Sequence, residues 1–93
     1  MTKARKNFLV EGKVQGVGYR RWAASKALSL GLSGWVRNLP SGAVEVQAQG
    51  DPEALDELEA LLGEGPAAAR VARVTSVEKP PEGDEEPFRI RHF

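Results

Sequence analysis

Cysteine is absent from the sequence and histidine occurs once, and these two shortages remove many familiar catalytic and metal-binding chemistries. Without cysteine the chain can form no disulfide framework, no thiolate metal site and no nucleophilic thiol. The one histidine, His92, lies one residue from the end of the sequence, which argues against a serine–histidine triad and against a multi-histidine metal cluster. Catalysis by this protein would therefore depend on other groups.

Long apolar runs are also missing. The basic start of the chain could belong to a signal peptide, but only the apolar residues 8–10 separate it from Glu11 and Gly12. That stretch is too short for export or for crossing a membrane. We therefore expect a cytoplasmic protein without a membrane partner.

The chain is short and its charge is unevenly distributed. With 93 residues, of which 41% are hydrophobic and 28% charged, we expect one domain over residues 1–93, and a monomer. The net charge is zero, yet residues 1–40 carry eight Lys/Arg and one acid, whereas residues 41–93 carry five Lys/Arg and twelve acids. Much of this is explained by solvated surface charge, but the first half of the chain is the half that would attract anions.

Hydrophobic periodicity predicts strands alternating with two helices. Strands are expected at residues 8–14, 32–39, 43–49, 71–78 and 88–93, and helices at 19–30 and 52–62. Asp51 and Pro52 are typical of a helix N-terminus, and Gly31 and Gly63 of helix ends. In the fourth strand, Val74 and Val77 are three residues apart, which predicts a bulge or a register change there. Residues 80–87 should form an exposed acidic loop.

This element order favours an α+β fold, the ferredoxin-like βαββαβ sandwich. We predict an antiparallel sheet of four to five strands, depending on whether the last part of the chain forms one strand or two, with both helices on one face. The other face is then open to solvent or ligand. Because this arrangement serves enzymes, nucleic-acid binders and metal carriers alike, the function must be inferred from a site.

A loop with two glycines joins the first strand to the first helix. Its residues are Gln15, Gly16, Val17, Gly18, Tyr19 and Arg20. Glycine permits positive φ, so successive backbone N–H groups can point inward to bind an anion, assisted by the helix N-terminus. Arg20 opposes the helix dipole, and a bound anion would remove that conflict. On spacing alone, a glycine-rich turn with a solvent-facing arginine explains the pattern slightly better, and the loop is not a Walker loop.

Two longer segments make the sequence resemble the acylphosphatase family. They are residues 12–20 (GKVQGVGYR) and 34–38 (GWVRN), supported by residues 42–45 (GAVE) and Gly50. The resemblance covers essentially the whole chain and includes the 18-residue step from Arg20 to Asn38. It implies one acylphosphatase-like domain of βαββαβ fold that needs no metal or cofactor. Such an enzyme hydrolyses the carboxyl–phosphate bond of small acyl phosphates to a carboxylate and inorganic phosphate.

The same resemblance implies roles for individual residues. Arg20 corresponds to the phosphate-binding arginine and Asn38 to the residue that positions the attacking water, while the amides of residues 15–19 form the phosphate cradle. The chemistry suits these groups, because a carboxylate leaving group needs no general acid and a guanidinium matches two phosphate oxygens. Tyr19 stands where the family more often has phenylalanine, and its hydroxyl is expected to reach solvent. Without the resemblance, Asn38 would be interpreted as a turn residue at a strand end.

The remaining charged and aromatic residues are given structural interpretations. Lys13, Arg21 and Arg37 are expected to be solvated charges, Trp22 and Trp35 buried or half-buried aromatics, and the acidic residues 82–86 a solvated loop rather than a cation site.

Three other functions stay open. An RNA-binding module is disfavoured because residues 43–49 contain no aromatic residue and the net charge is zero. A carbamoyl-phosphate domain of a larger hydrogenase-maturation enzyme is disfavoured because the sequence stops at Phe93 without zinc-finger cysteines or further domains. A phosphate-binding protein without catalytic activity is the third alternative.

Overall fold

The computed structural model describes residues 3–83 and 86–92, and its elements follow the predicted order. They are β1 (Ala4–Lys13), α1 (Tyr19–Ser29), β2 (Ser33–Asn38), β3 (Val44–Gly50), α2 (Pro52–Glu64), β4 (Arg70–Lys79) and β5 (Arg89–Ile90). The βαββαβ arrangement is confirmed, with the final part of the chain divided into two strands. The predicted acidic loop is exposed where it is described, and its residues Asp84 and Glu85 lie outside the described part of the chain.

The five strands form one sheet in the order β4-β1-β3-β2-β5. The prediction of a fully antiparallel sheet was wrong for the last strand, because β5 pairs parallel with β2 through Trp35 opposite Arg89 and Val36 opposite Ile90. After β4, which lies at the opposite edge, the chain reverses and crosses the sheet, and so enters beside β2 in the same direction. A two-residue strand carries no sequence signal of its direction.

One face of the sheet packs against both helices and holds the core. Strand residues at alternate positions point to this face and are fully or almost fully buried, among them Phe8, Val10, Val36, Val44 and Val46. Opposite them lie the leucines of α2 and the small residues of α1. Apolar and polar residues alternate along β1 and β3, and α2 has leucines at helical spacing, so the sequence was sufficient to predict this core.

The helix ends depart slightly from prediction. Helix α2 continues through Gly63 to Glu64 and ends at Gly65, whose φ is 70° and whose N–H donates to the Leu61 carbonyl. In α1, Leu28 lies beside the apolar stripe in sequence yet is 51% exposed.

No helix in the described ranges is long and apolar enough to cross a membrane.

The predicted bulge exists at a different place. Glu11 pairs with Arg73 and the next residue, Gly12, pairs with Val71, so β4 carries one extra residue there. The three-residue step from Val74 to Val77 has another cause, since the two valines simply occupy opposite faces. Val74 is half-buried on the core face, and Val77 is 57% exposed on the open face.

Candidate active site

The strand directions bring three strand ends and the start of α1 to one end of the sheet. Strands β1 and β2 both pair antiparallel with β3, and Val10 and Asn38 both lie opposite Val44. Therefore β1 and β2 run in the same direction with one strand between them, which separates Val10 from Asn38 by about 10 Å. Strand β5, parallel to β2, ends at the same place.

The loop between β1 and α1 has the backbone that its glycines predict. Gly16 and Gly18 have φ values of 76° and 78°, and a Cβ atom added to either would meet no atom within 4 Å. Within the described ranges, none of the backbone N–H groups of residues 15–19 donates to a backbone carbonyl. Donors left open beside a helix N-terminus are the groups that bind anions in proteins.

Gln15 attaches this loop to the turn that follows Asn38. Its side-chain Nε2 donates to the Leu39 carbonyl at 2.8 Å and to the Ala43 carbonyl at 2.9 Å. The amide thus fixes the distance between the loop and the end of β2. This role was not predicted from the sequence, because it depends on a contact between segments 24 residues apart. The backbone N–H of Gln15, which is predicted to bind phosphate, takes no part in these two side-chain hydrogen bonds.

Arg20 lies in the first turn of α1 and is half-buried. Its Nη1 lies 3.5 Å from Nδ1 of His92. No acidic side chain of the described residues forms a salt bridge with Arg20. The guanidinium charge is therefore available to an anion held by the loop. Such an anion would also offset the unfavourable interaction between Arg20 and the helix dipole.

Asn38 is the last residue of β2 and carries an unusual oxygen. Its side-chain Oδ1 is buried and has no hydrogen-bond partner among the described residues. Buried polar atoms in native proteins are almost always paired, so an unpaired acceptor at a strand end suits a donor from outside the protein, such as water. The sequence motif identified this residue, but only the structure shows that its oxygen is unpaired.

Tyr19 corrects one prediction. Its hydroxyl was expected to reach solvent, but the side chain is 1% exposed and the hydroxyl donates to the Leu62 carbonyl at 2.7 Å. Burial raises the pKa of Tyr19 above its usual value. Leu62 lies in the last turn of α2, where carbonyls lack helical partners. Tyr19 thus joins the two helices, and only its backbone N–H remains for the loop.

The other charged and aromatic residues mostly follow prediction. Lys13 and Arg21 are exposed, and Trp22 is half-buried with its ring 5.4 Å from that of Tyr19. Arg37 departs from its predicted solvated state, because it is half-buried and pairs with Glu45 at 2.7 Å. It belongs to the open face of the sheet and not to the end where Arg20 lies.

A cavity of about 360 Å³ lies on the open face of the sheet, away from the predicted site. Its lining combines arginines, glutamates and uncharged residues: Arg5, Gly34, Trp35, Gln47, Glu82, Glu86, Arg89 and Arg91. Arg5 lies 3.7 Å from Glu82, and Arg89 pairs with Glu86, so these acids bind neighbouring arginines. Within the described ranges there is no group of three or more potential metal ligands. The end of the sheet is the better candidate site, because among the described residues the backbone N–H groups of residues 15–19 have no backbone acceptor and Asn38 Oδ1 has no hydrogen-bond partner.

Comparisons with known proteins agree with this geometry. The acylphosphatase family model matches residues 6–90. An acylphosphatase of Synechococcus sp. (strain WH7803) is 55% identical over 91 residues, which cover 98% of this chain and 90% of that protein.

Solved structures agree as well. An acylphosphatase from Coxiella burnetii superposes with a TM-score of 0.91 at 40% identity, covering 96% of this chain and 93% of that one. The acylphosphatase from Bacillus subtilis gives a TM-score of 0.91 at 30% identity, covering 95% of this chain and 98% of that one. With the family model, these similarities show that the chain belongs to the acylphosphatase family.

Proposed function

We propose that this protein hydrolyses small acyl phosphates to a carboxylate and inorganic phosphate, with the phosphate group held by residues 15–20 and the water positioned by Asn38. The observation that carries the proposal is that no acidic side chain of the described residues neutralises the Arg20 guanidinium, which adjoins a loop whose N–H groups have no backbone acceptor in the same part of the chain. Positive charge and open donors in one place favour a phosphate group. Family membership supports the same activity.

The reaction requires little beyond positioning and charge stabilisation. The water oxygen attacks phosphorus, and the bond between phosphorus and the acyl oxygen breaks with its electron pair leaving on the carboxylate. Because a carboxylate is a weak base, it needs no proton from the protein, and the water proton passes to a phosphate oxygen. Arg20 stabilises the charge on the phosphate oxygens with a planar pair of donors.

Asn38 would act on the nucleophile. Its unpaired Oδ1 accepts a hydrogen bond from the water and so directs the water lone pair at phosphorus. The two hydrogen bonds of Gln15 hold the loop against the turn after Asn38, which keeps the water position and the phosphate position at a fixed separation. In this mechanism Gly16, Val17, Gly18 and Tyr19 contribute backbone N–H groups only.

We further propose that the protein works as a monomer and without a nucleic-acid partner. The open face of the sheet carries one aromatic ring that could stack with bases, Trp35, among the residues that the structure describes. Arg37 and Arg91 lie 5.1 and 5.0 Å from the centre of that ring, so the ring already has cationic partners. Location in the cytoplasm and a single domain over residues 1–93 stay predictions from the sequence.

Hydrolysis of benzoyl phosphate by the wild type and by variants at two neighbouring arginines tests the proposal. Arg20→Ala should lower kcat/KM by about a hundredfold or more and weaken competitive inhibition by inorganic phosphate. Arg20→Lys should restore little, because a point charge does not reproduce the fork. Arg21→Ala, an exposed neighbour in the same helix turn, is the matched control and should stay within about twofold of wild type.

The same assay in EDTA should give unchanged rates, since no step in this mechanism uses a metal ion. A folded Arg20→Ala protein with normal turnover would contradict the assignment of Arg20. Absence of hydrolysis in the wild type, together with measurable phosphate binding, would instead support the phosphate-binding alternative.

A further inference from the structure

The end of the described chain is held against the site by backbone and apolar contacts. Phe88 is 5% exposed and Ile90 packs against the core, which anchors β5 beside β2. The Arg91 N–H then donates to the Val36 carbonyl at 2.8 Å. His92 follows directly, at the end of the sheet where β1 and β2 also end. Its position is therefore set by the fold, although it is the penultimate residue of the sequence.

His92 contacts the guanidinium on which the proposed reaction depends. Nδ1 of its ring lies 3.5 Å from Nη1 of Arg20. Within residues 3–83 and 86–92, no other side chain forms a hydrogen bond with the Arg20 guanidinium. In the neutral ring with its proton on Nε2, Nδ1 accepts one N–H of the guanidinium. A guanidinium has five N–H donors, so the others stay available for phosphate oxygens.

A contact of this kind restricts a long and flexible side chain. Free arginine side chains lose rotamer entropy when they bind, and a partner that holds them beforehand reduces that loss. We propose that His92 is a positioning residue, which orients the Arg20 guanidinium toward the phosphate group without touching the substrate. This inference rests on the proposed function, since it assumes that Arg20 binds phosphate.

The role predicts a particular kinetic pattern. Arg20 contacts phosphate in the ground state and in the transition state alike, so loosening it should weaken binding more than it slows chemistry. His92→Ala should raise KM for benzoyl phosphate and the inhibition constant of inorganic phosphate by about three- to tenfold, while kcat changes by less than about twofold. His92→Asn should recover most of the loss, because its Oδ1 acceptor is as many bonds from Cα as the histidine Nδ1.

Two comparisons separate positioning from a merely structural role. Arg89→Ala removes an exposed side chain from β5, three residues before His92, and should leave both constants unchanged. In an Arg20→Ala background, His92→Ala should have no further effect on kcat/KM, because the group it positions is gone. If His92→Asn is as impaired as His92→Ala, or if the loss persists without Arg20, the inference is overturned. A severe defect in Arg20→Ala with a neutral His92→Ala would reject this inference and leave the proposed function standing.

Discussion

Replacing Tyr19 by phenylalanine should weaken the protein without changing its chemistry. The substitution keeps the buried ring and removes one hydroxyl, which donates to the Leu62 carbonyl at 2.7 Å. A hydrogen bond of this kind contributes about 1 kcal/mol, and the carbonyl left behind belongs to Leu62, a fully buried residue. We therefore expect the free energy of unfolding to fall by about 1–2 kcal/mol. For a domain of this size, that corresponds to a decrease in Tm of about 4–16 °C.

The pH dependence of this difference gives an independent check. Because burial raises the pKa of Tyr19, the folded state keeps the proton at pH values where the unfolded state, with an ordinary pKa of 10.0, has lost it. The contribution of Tyr19 is thus complete below pH 10 and decreases as pH rises, by up to about 1.4 kcal/mol per pH unit. Tyr19→Phe lacks this group, so the stability gap between wild type and variant should narrow above pH 10.

Urea unfolding followed by circular dichroism, at neutral pH and from pH 10 upward, measures both effects. Turnover of benzoyl phosphate should stay within about twofold of wild type, since only the Tyr19 backbone N–H faces the loop. Equal stability of the two proteins at neutral pH would show that the hydroxyl does not stabilise the fold. A large loss of kcat in a folded Tyr19→Phe protein would refute its assignment as a structural group.

Two further substitutions probe the loop. Gly18→Ala places a side chain at φ 78°, so it should cost about 1–2 kcal/mol of stability and weaken inhibition by inorganic phosphate. Gly63→Ala is the control: Gly63 lies in an exposed turn of α2, and the substitution should stabilise the protein by about 0.5–1 kcal/mol. Urea unfolding and inhibition assays compare the two variants. Gln15→Ala removes both hydrogen bonds to Leu39 and Ala43 and should lower kcat/KM for benzoyl phosphate, and unchanged kinetics would show that the loop does not need this attachment.

Local patterns were sufficient to predict most of the fold. The alternation in β3 and the leucines of α2 each reflect one buried face. The spacing of apolar residues therefore predicted the correct type of element in both segments. The direction of β5 and the position of the bulge depend on how distant strands meet, and neither leaves a local pattern. The exposed Val77 shows the limit of such reasoning, because a valine on the open face resembles one in the core.

The site was predictable in part for the same reason. Glycine permits the positive φ found at Gly16 and Gly18, and the motif resemblance identified Arg20 and Asn38 as candidates. The hydrogen bonds of Gln15, the buried hydroxyl of Tyr19 and the contact between His92 and Arg20 join residues at least 24 positions apart. Contacts over such separations exist only once the strands have been ordered.

In the proposed mechanism, phosphate binding and water positioning belong to different residues, and Asn38→Ala separates the two. If Asn38 directs the water and contacts phosphate little, kcat for benzoyl phosphate should fall by about a hundredfold or more in the variant. Competitive inhibition by inorganic phosphate should meanwhile stay near wild type. Asn7→Ala is the matched control, because Asn7 lies on the open face, bonded to Glu45 and Gln47, and should keep normal kcat.

Circular dichroism should show both variants folded. We expect the two quantities to separate in Asn38→Ala: kcat should collapse, and inhibition by inorganic phosphate should not change. A folded Asn38→Ala protein with near-normal kcat would contradict the water-positioning role and make Asn38 a residue of the strand end only.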